Sequence, residues 1–194
     1  VATNDLTTLD DVKAWLAIGL GDSTYDSMLS RLVTACSTTM QAYMNRIVAV
    51  TAYSTTFSGD GKDHKMVPNY PIQSVTQVTV NGVVVPQGVA PTPTASQQSG
   101  WFFDEDTVWL SGWRFCEGLQ NCSLSYTAGF SPTDPNLSAL AQACIEVVSY
   151  RFRERSRIGE RNKSVNGEVI GFALVDFPPE VMTLMNNLRN VVPV

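Results

Sequence analysis

LSYTAGFSPTDPNLSALAQACIEVVSYRFRERSRIGER, from Leu124 to Arg161, is the stretch on which the fold turns. It reads as a strand from Leu124 to Tyr126, a turn from Thr127 to Asn136, a long helix from Leu137 to about Arg157, and a break at Gly159. Within the helix, Leu137, Leu140, Ala141, Cys144, Val147, Val148 and Phe152 recur at steps of three and four, an apolar stripe that has to pack on something. Its last turns carry Arg151, Arg153, Arg155 and Arg157, followed by Arg161, so a chain of net charge -5 gathers positive charge at one helix end. Cations at a helix C-terminus are favoured by roughly a few tenths of a kcal/mol, and i, i+4 stacking accounts for the spacing. Four alternating arginines exceed what capping needs, which points to an acidic partner surface or DNA, with protein ranked first because the chain is acidic.

Upstream, Thr8 and Asp11 have the spacing of a capping box ahead of a short helix lined by Leu9, Val12 and Leu16. A second helix is predicted to start near Asp22 or Ser23. Tyr25, Met28, Leu29, Leu32, Cys36, Met40, Tyr43 and Ile47 keep the helical period through it. From Val48 the period changes to two. Ala52 to Ser58 reads as a strand, Gly59-Asp60-Gly61 as a turn, and Lys65 to Val67 as the return strand. Val75 to Val85 around Asn81-Gly82 is the clearest hairpin, since Asn-Gly tolerates the positive backbone angles of a type I′ turn. Pro86 to Gly100 reads as a loop, Trp101 to Leu110 as a hairpin around Asp104-Glu105-Asp106, and Cys122 to Tyr126 as the last strand of the region. After the long helix, Ile158 to Gly171 reads as a loop or loose hairpin, and Val169 to Leu174 has the makings of an edge strand. Pro178-Pro179-Glu180 starts a final helix whose apolar side is Val181, Leu184, Met185 and Leu188.

The expected fold class is therefore α+β, a small α-helical bundle made by N- and C-terminal helices with an inserted antiparallel β region. Its divisions are residues 1–47, the inserted β domain at 48–130, and 131–194, which completes the bundle.

With 194 residues, 44% of them hydrophobic, the chain can bury a real core. Its 16% of charged residues falls below the usual quarter or so, as expected of a surface partly covered by partners. The acidic balance argues against a general nucleic-acid-binding surface. Cys36, Cys116, Cys122 and Cys144 form no C-x-x-C pair. Cys116 and Cys122 flank a short loop that an oxidising compartment could bridge, and structural thiols are the favoured reading. No signal peptide or membrane-spanning run is apparent, so a cytoplasmic site of synthesis is expected.

Catalysis finds little support. His64 is the lone histidine and sits in a charged turn, no Cys/His set has metal spacing, and Asp104-Glu105-Asp106 fits a solvated hairpin tip better than a calcium loop.

The order of the pieces resembles the head-tail connector, or adaptor, proteins of long-tailed bacteriophages. The residues that carry the likeness are Leu6 to Leu16, Asp26 to Arg46, Tyr70 to Gly82, and Ser125-Tyr-Thr-Ala-Gly-Phe130 followed by a proline loop and a helix ending in Arg-x-Arg. The Pro86 to Gly100 loop and the Trp-rich hairpin after it are additions that shorter members lack. The resemblance implies a structural subunit of a dodecameric ring in the virion neck, made in the host bacterial cytoplasm. The ring's partners are further copies of itself, the portal protein and a stopper or tail-completion protein. Double-stranded genomic DNA passes through it without sequence-specific binding. No enzyme activity, cofactor, metal or membrane contact is implied. In this frame the expected contact residues are Arg151, Arg153, Arg155, Arg157 and Arg161 with Val181, Leu184, Met185 and Leu188. Tyr126, Gly129 and Phe130 are expected to define the strand-to-helix turn. The competing readings are a stopper or tail-completion protein, a carbohydrate- or protein-binding module built on Trp101, Trp109 and Trp113, and, ranked last, a hydrolase using dispersed carboxylates.

Overall fold

The structure is a computed structural model that describes residues 4–88, 98–155, 162–165, 168–171 and 177–190. The predicted Pro86 to Gly100 loop and the segment that follows Arg155 fall largely outside the described residues. The chain forms two compact units. Among the described residues, one is made of those up to Arg46 and those from Thr133 onward, the other of Ile47–Pro132. The mixed α+β class expected from the sequence is what the chain adopts.

In the helical unit, α1 (Leu9–Trp15) begins at Thr8, whose hydroxyl oxygen accepts from the Asp11 backbone N–H at 3.2 Å. The reciprocal half of a capping box is replaced by a donation from the Thr8 hydroxyl to the Asp11 carboxylate at 2.6 Å. α2 (Asp26–Met44) starts later than predicted, because the Asp22 carboxylate accepts from the Thr24 backbone N–H and hydroxyl and holds the preceding residues in a turn. It also ends earlier. Asn45 takes a left-handed φ of 52° as C-cap, which leaves Ile47 outside the helix and exposed. The buried face is Leu29, Val33, Cys36, Ser37, Met40 and Met44, rotated from the predicted stripe so that Tyr25, Met28, Leu32 and Tyr43 lie at its half-buried margin.

α3 (Pro135–Glu154) is capped by Asp134, which accepts from the Asn136 N–H at 2.8 Å, and packs chiefly on α2. Leu140, Cys144, Val147, Val148 and Phe152 are buried as the stripe requires, and so are Ala143, Ile145 and Ser149. The middle of the helix is thus covered on more than one side. α4 (Pro179–Asn187) buries Val181 and Met185. A two-stranded hairpin, β8 (Asn162–Val165) and β9 (Glu168–Gly171), lies between α3 and α4 in the sequence.

The β unit contains β1 (Thr51–Gly59), β2 (His64–Met66), β3 (Ile72–Val80), β4 (Val83–Val85), β5 (Gly100–Phe103), β6 (Thr107–Ser111) and β7 (Gly118–Ala128). They form one sheet in the order β1-β7-β3-β4 and another in the order β2-β6-β5. The β3–β4 and β5–β6 hairpins are present as expected, with φ of 51° and 78° at Asn81 and Gly82.

The predicted β1–β2 hairpin does not form. β1 pairs along its length with β7, from Thr51↔Ala128 to Gly59↔Gly118, while β2 joins β6 in the other sheet. The reason is length and burial. A three-residue return could satisfy few of the nine residues of β1, whereas the eleven-residue β7 offers a full ladder. The same pairing also sets Tyr53 and Phe57 of β1 against Tyr126 and Phe115. The two sheets share one core, with Val75, Val78, Leu124 and Tyr126 from the first and Trp101, Val108 and Leu110 from the second. Full burial of side chains of this size is worth roughly 1.5–3 kcal/mol each.

Candidate assembly surfaces

The arginines at the end of α3 go separate ways. Arg151 is half-buried, with its guanidinium 5.8 Å from the centre of the Phe177 ring and beside the Cys36 thiol. Burial pushes that thiol upward in pKa, and the Arg151 charge opposes the shift. Arg155 folds back over the rings of Phe152 and Tyr25, at 3.8 and 5.3 Å, and donates to the Phe152 carbonyl. Arg153 projects into solvent. Arg157 and Arg161 lie outside the described residues.

On α4, Val181 and Met185 are 2% and 0% exposed and belong to the core of the unit, whereas Leu184 and Leu188 are half-buried. The helix is tied to α2 and the residues around it. The Tyr43 hydroxyl donates to Asn186 Oδ1 at 2.8 Å, Arg46 donates to the Leu188 carbonyl at 3.1 Å, and the Asn190 N–H donates to the Met44 carbonyl at 2.8 Å. A groove of about 230 Å³ runs between α3 and α4. Ala139, Ala143, Val181 and Leu184 contribute its apolar part, and Glu146 and Glu180 its carboxylates.

The turn that leaves β7 is built by Tyr126, Gly129 and Phe130. Tyr126 is 1% exposed, stacks on Tyr53 and accepts a 3.3 Å hydrogen bond from Asn69. Gly129 has φ 133°, and a Cβ on it would come within 2.5 Å of the Ala49 carbonyl oxygen, so any side chain there collides with backbone. The Phe130 N–H donates to the Val48 carbonyl at 2.9 Å, and its side chain is buried.

Sequence reasoning passed over Lys13. This lysine is 1% exposed, and its ammonium donates to the Leu20 carbonyl (3.0 Å), the Asp22 carbonyl (2.7 Å) and the Asp26 carboxylate (2.8 Å). One cation thereby closes the connection from α1 to α2 and neutralises the first residue of α2. The only signal in the sequence is an acidic residue at the head of the next helix.

In the β unit a cavity of about 630 Å³ is lined by Asp63, Asn81, Leu110, Trp113, Arg114 and Cys116 among others. His64 is half-buried and paired with Asp63 at 2.9 Å, with its ring 5.0 Å from that of Trp109. The Asp104-Glu105-Asp106 tip uses its backbone. The Asp106 and Glu105 carbonyls accept from Val67 and Ile72, so the tip anchors the approach to β3. Trp101 is core, and Trp109 and Trp113 are half-buried, so none of the three is an exposed platform. All four cysteines are free, and burial pushes Cys144 up to about 11. Among the described residues no group of three potential metal ligands comes together, and no helix is long and apolar enough to cross a membrane.

No curated protein matches the sequence. Solved structures do match the fold. A chain in the neck of an empty gene transfer agent particle, computed with C6 symmetry, superposes with a TM-score of 0.58 at 18% identity, covering 100% of this chain and 95% of that one. A chain of the native gene transfer agent virion gives 0.57 at 16% identity, with 100% and 94% covered. A third, in the native neck computed with C12 symmetry, gives 0.53 at 17% identity, with 100% and 95% covered. The sequence matches the head completion protein family over residues 5–191, nearly its whole length, and the chain belongs to that family.

Proposed function

We propose that this chain is the subunit of a ring in the neck of a phage-like particle, where it joins the capsid portal to the tail side and lets the genome pass. Membership of the head completion family along almost the entire chain carries the reading. It is supported by the likeness to neck chains of gene transfer agent particles, solved with sixfold and twelvefold symmetry. In this reading the ring is a dodecamer, the protein acts by position and performs no catalysis, and its partners are its own copies, the portal and a stopper or tail-completion protein. A net charge of -5 suits a channel that conducts duplex DNA without gripping it, since affinity for DNA grows with the number of phosphates neutralised.

Among the described sequence-predicted contact residues, Arg153 is exposed and Leu184 and Leu188 are half-buried, which leaves these three for a portal surface, because Arg151, Arg155, Val181 and Met185 have partners within the helical unit. Deleting α4 would remove core residues, so point substitutions make the cleaner probe. Electron microscopy of the chain mixed with portal protein should show rings seated on the portal, fewer of them with Arg153→Glu or Leu188→Asp. A chain that stays monomeric at high concentration and leaves the portal bare would overturn the reading.

A further inference from the structure

Two surfaces of the helical unit are unlike each other and complementary. The outward face of α2 consists of Ser27, Arg31, Ala35, Thr38, Thr39 and Ala42, all exposed and, apart from Arg31, small and uncharged. The Thr38 and Thr39 hydroxyls donate at 2.8 Å to the Thr34 and Ala35 carbonyls of their own helix, so neither donor is left for water or a partner. The face is made of small side chains and carries one cation. The second surface is the groove between α3 and α4, apolar along Ala139, Ala143, Val181 and Leu184, with Glu146 and Glu180 supplying negative charge. Arg31, Glu146 and Glu180 make no ion pair among the described residues. Gln142 donates to the Glu146 carboxylate at 3.1 Å and leaves its negative charge in place, so a cation on a helix face of small residues and two carboxylates beside an apolar groove are complementary in charge.

We propose that the groove between α3 and α4 receives α2 of a neighbouring copy of this chain, with Arg31 of that copy between Glu146 and Glu180. The inference rests on the ring reading above and assigns its subunit contact. The two surfaces belong to different helices and share no residue, so the contact is head-to-tail and leaves one open surface at each end of a chain of copies. Such a contact propagates and closes into a ring, whereas a self-complementary patch stops at a dimer. Small residues on α2 let the two backbones approach closely, and the charge match fixes register along the groove. The ends of such a ring contact are partly solvated, so its strength falls with added salt.

Charge reversal with rescue tests it. Arg31→Glu should weaken self-association, measured by analytical ultracentrifugation or by the ring fraction on portal, by about tenfold or more. Glu146→Arg with Glu180→Arg should do the same. Combining the three should restore rings, and the Arg31→Glu monomer should keep the wild-type unfolding midpoint because Arg31 is exposed. A second measurement guards against misfolding of the reversed groove. In a Cys116→Ser background, Ala35→Cys and Leu184→Cys on one chain should cross-link with a short bismaleimide into a ladder of multimers.

Wild-type rings that tolerate Arg31→Glu unchanged, or cross-linking that stops at dimers, overturn this contact and leave the ring reading standing. A wild-type chain that forms no oligomer, alone or on portal, overturns both.

Discussion

The helical unit and the β unit are held together by different means. Within the helices of the helical unit the backbone hydrogen bonds are local, and the helices are then fastened to one another by a few polar anchors. The chief ones are Lys13 on Leu20, Asp22 and Asp26, Arg46 on the Leu188 carbonyl, and Asn190 on the Met44 carbonyl. In the β unit the main ladder joins residues far apart in the chain, Thr51 with Ala128 and Ile72 with Ala128, and a single apolar core serves both sheets. Short-range elements pinned at points leave outward faces at liberty for other molecules. Long-range ladders around a shared core commit their strands to one another. In the helical unit the outward faces are a charged groove and a helix face of small residues.

The sharpest way to break this comparison is Gly129→Val. The left-handed backbone and the approach of Ala49 should make it cost about 4 kcal/mol or more. Hydrogen exchange should show the loss of protection concentrated in β1 and β7, with α2 and α3 much less affected. Loss of equal size throughout would mean that the two units unfold as one.

Lys13→Met probes the helical side. Asp26 and two carbonyls lose their donor, and because Asp26 is partly solvated the expected cost is about 2 kcal/mol, read from denaturant unfolding and confined to protection in α1 and the start of α2. Thr8→Ala removes a cap at the edge of the same unit. It should cost about 1 kcal/mol, visible as fraying of α1 alone.

The smallest effect is chemical. Cys116 is exposed and should be alkylated in the native protein at mildly alkaline pH, while Cys36 and Cys144 should react only on unfolding. The sign of the associated pH dependence follows from the raised value. The folded state keeps the Cys144 proton that the unfolded chain releases from 9.0 upward. Stability from this group is therefore complete below that pH and declines as pH rises through about 11. An unfolding midpoint insensitive to pH across that window would contradict the burial assigned to this thiol.

Much of the molecule was legible in advance for reasons that differ between the units. The helices were readable because their period is local, and the errors came at their ends, where the Asp22–Thr24 turn and the left-handed Asn45 depend on side-chain contacts that periodicity does not report. The Asn81-Gly82 hairpin was readable because its turn chemistry is contained in two residues. The partner of β1 was not. Gly59-Asp60-Gly61 is an acceptable turn between any two strands, and the choice of β7 over β2 rests on the length of a strand more than fifty residues away. Among the candidate contact residues, the arginine pattern was plain, but the rings of Phe177, Phe152 and Tyr25 that take up Arg151 and Arg155 are brought there by packing.

By itself, then, the sequence determined the class of fold, the four helices, the Asn81-Gly82 and Trp101 to Leu110 hairpins and a kinship with phage neck proteins, since each rests on local periodicity or on the order of short motifs. Only the tertiary structure decided which strands pair, that Lys13 is buried, and which charges and apolar side chains are left facing outward. Those outcomes depend on what distant residues place opposite each group, and the energy that selects among them is gained only when the surfaces meet.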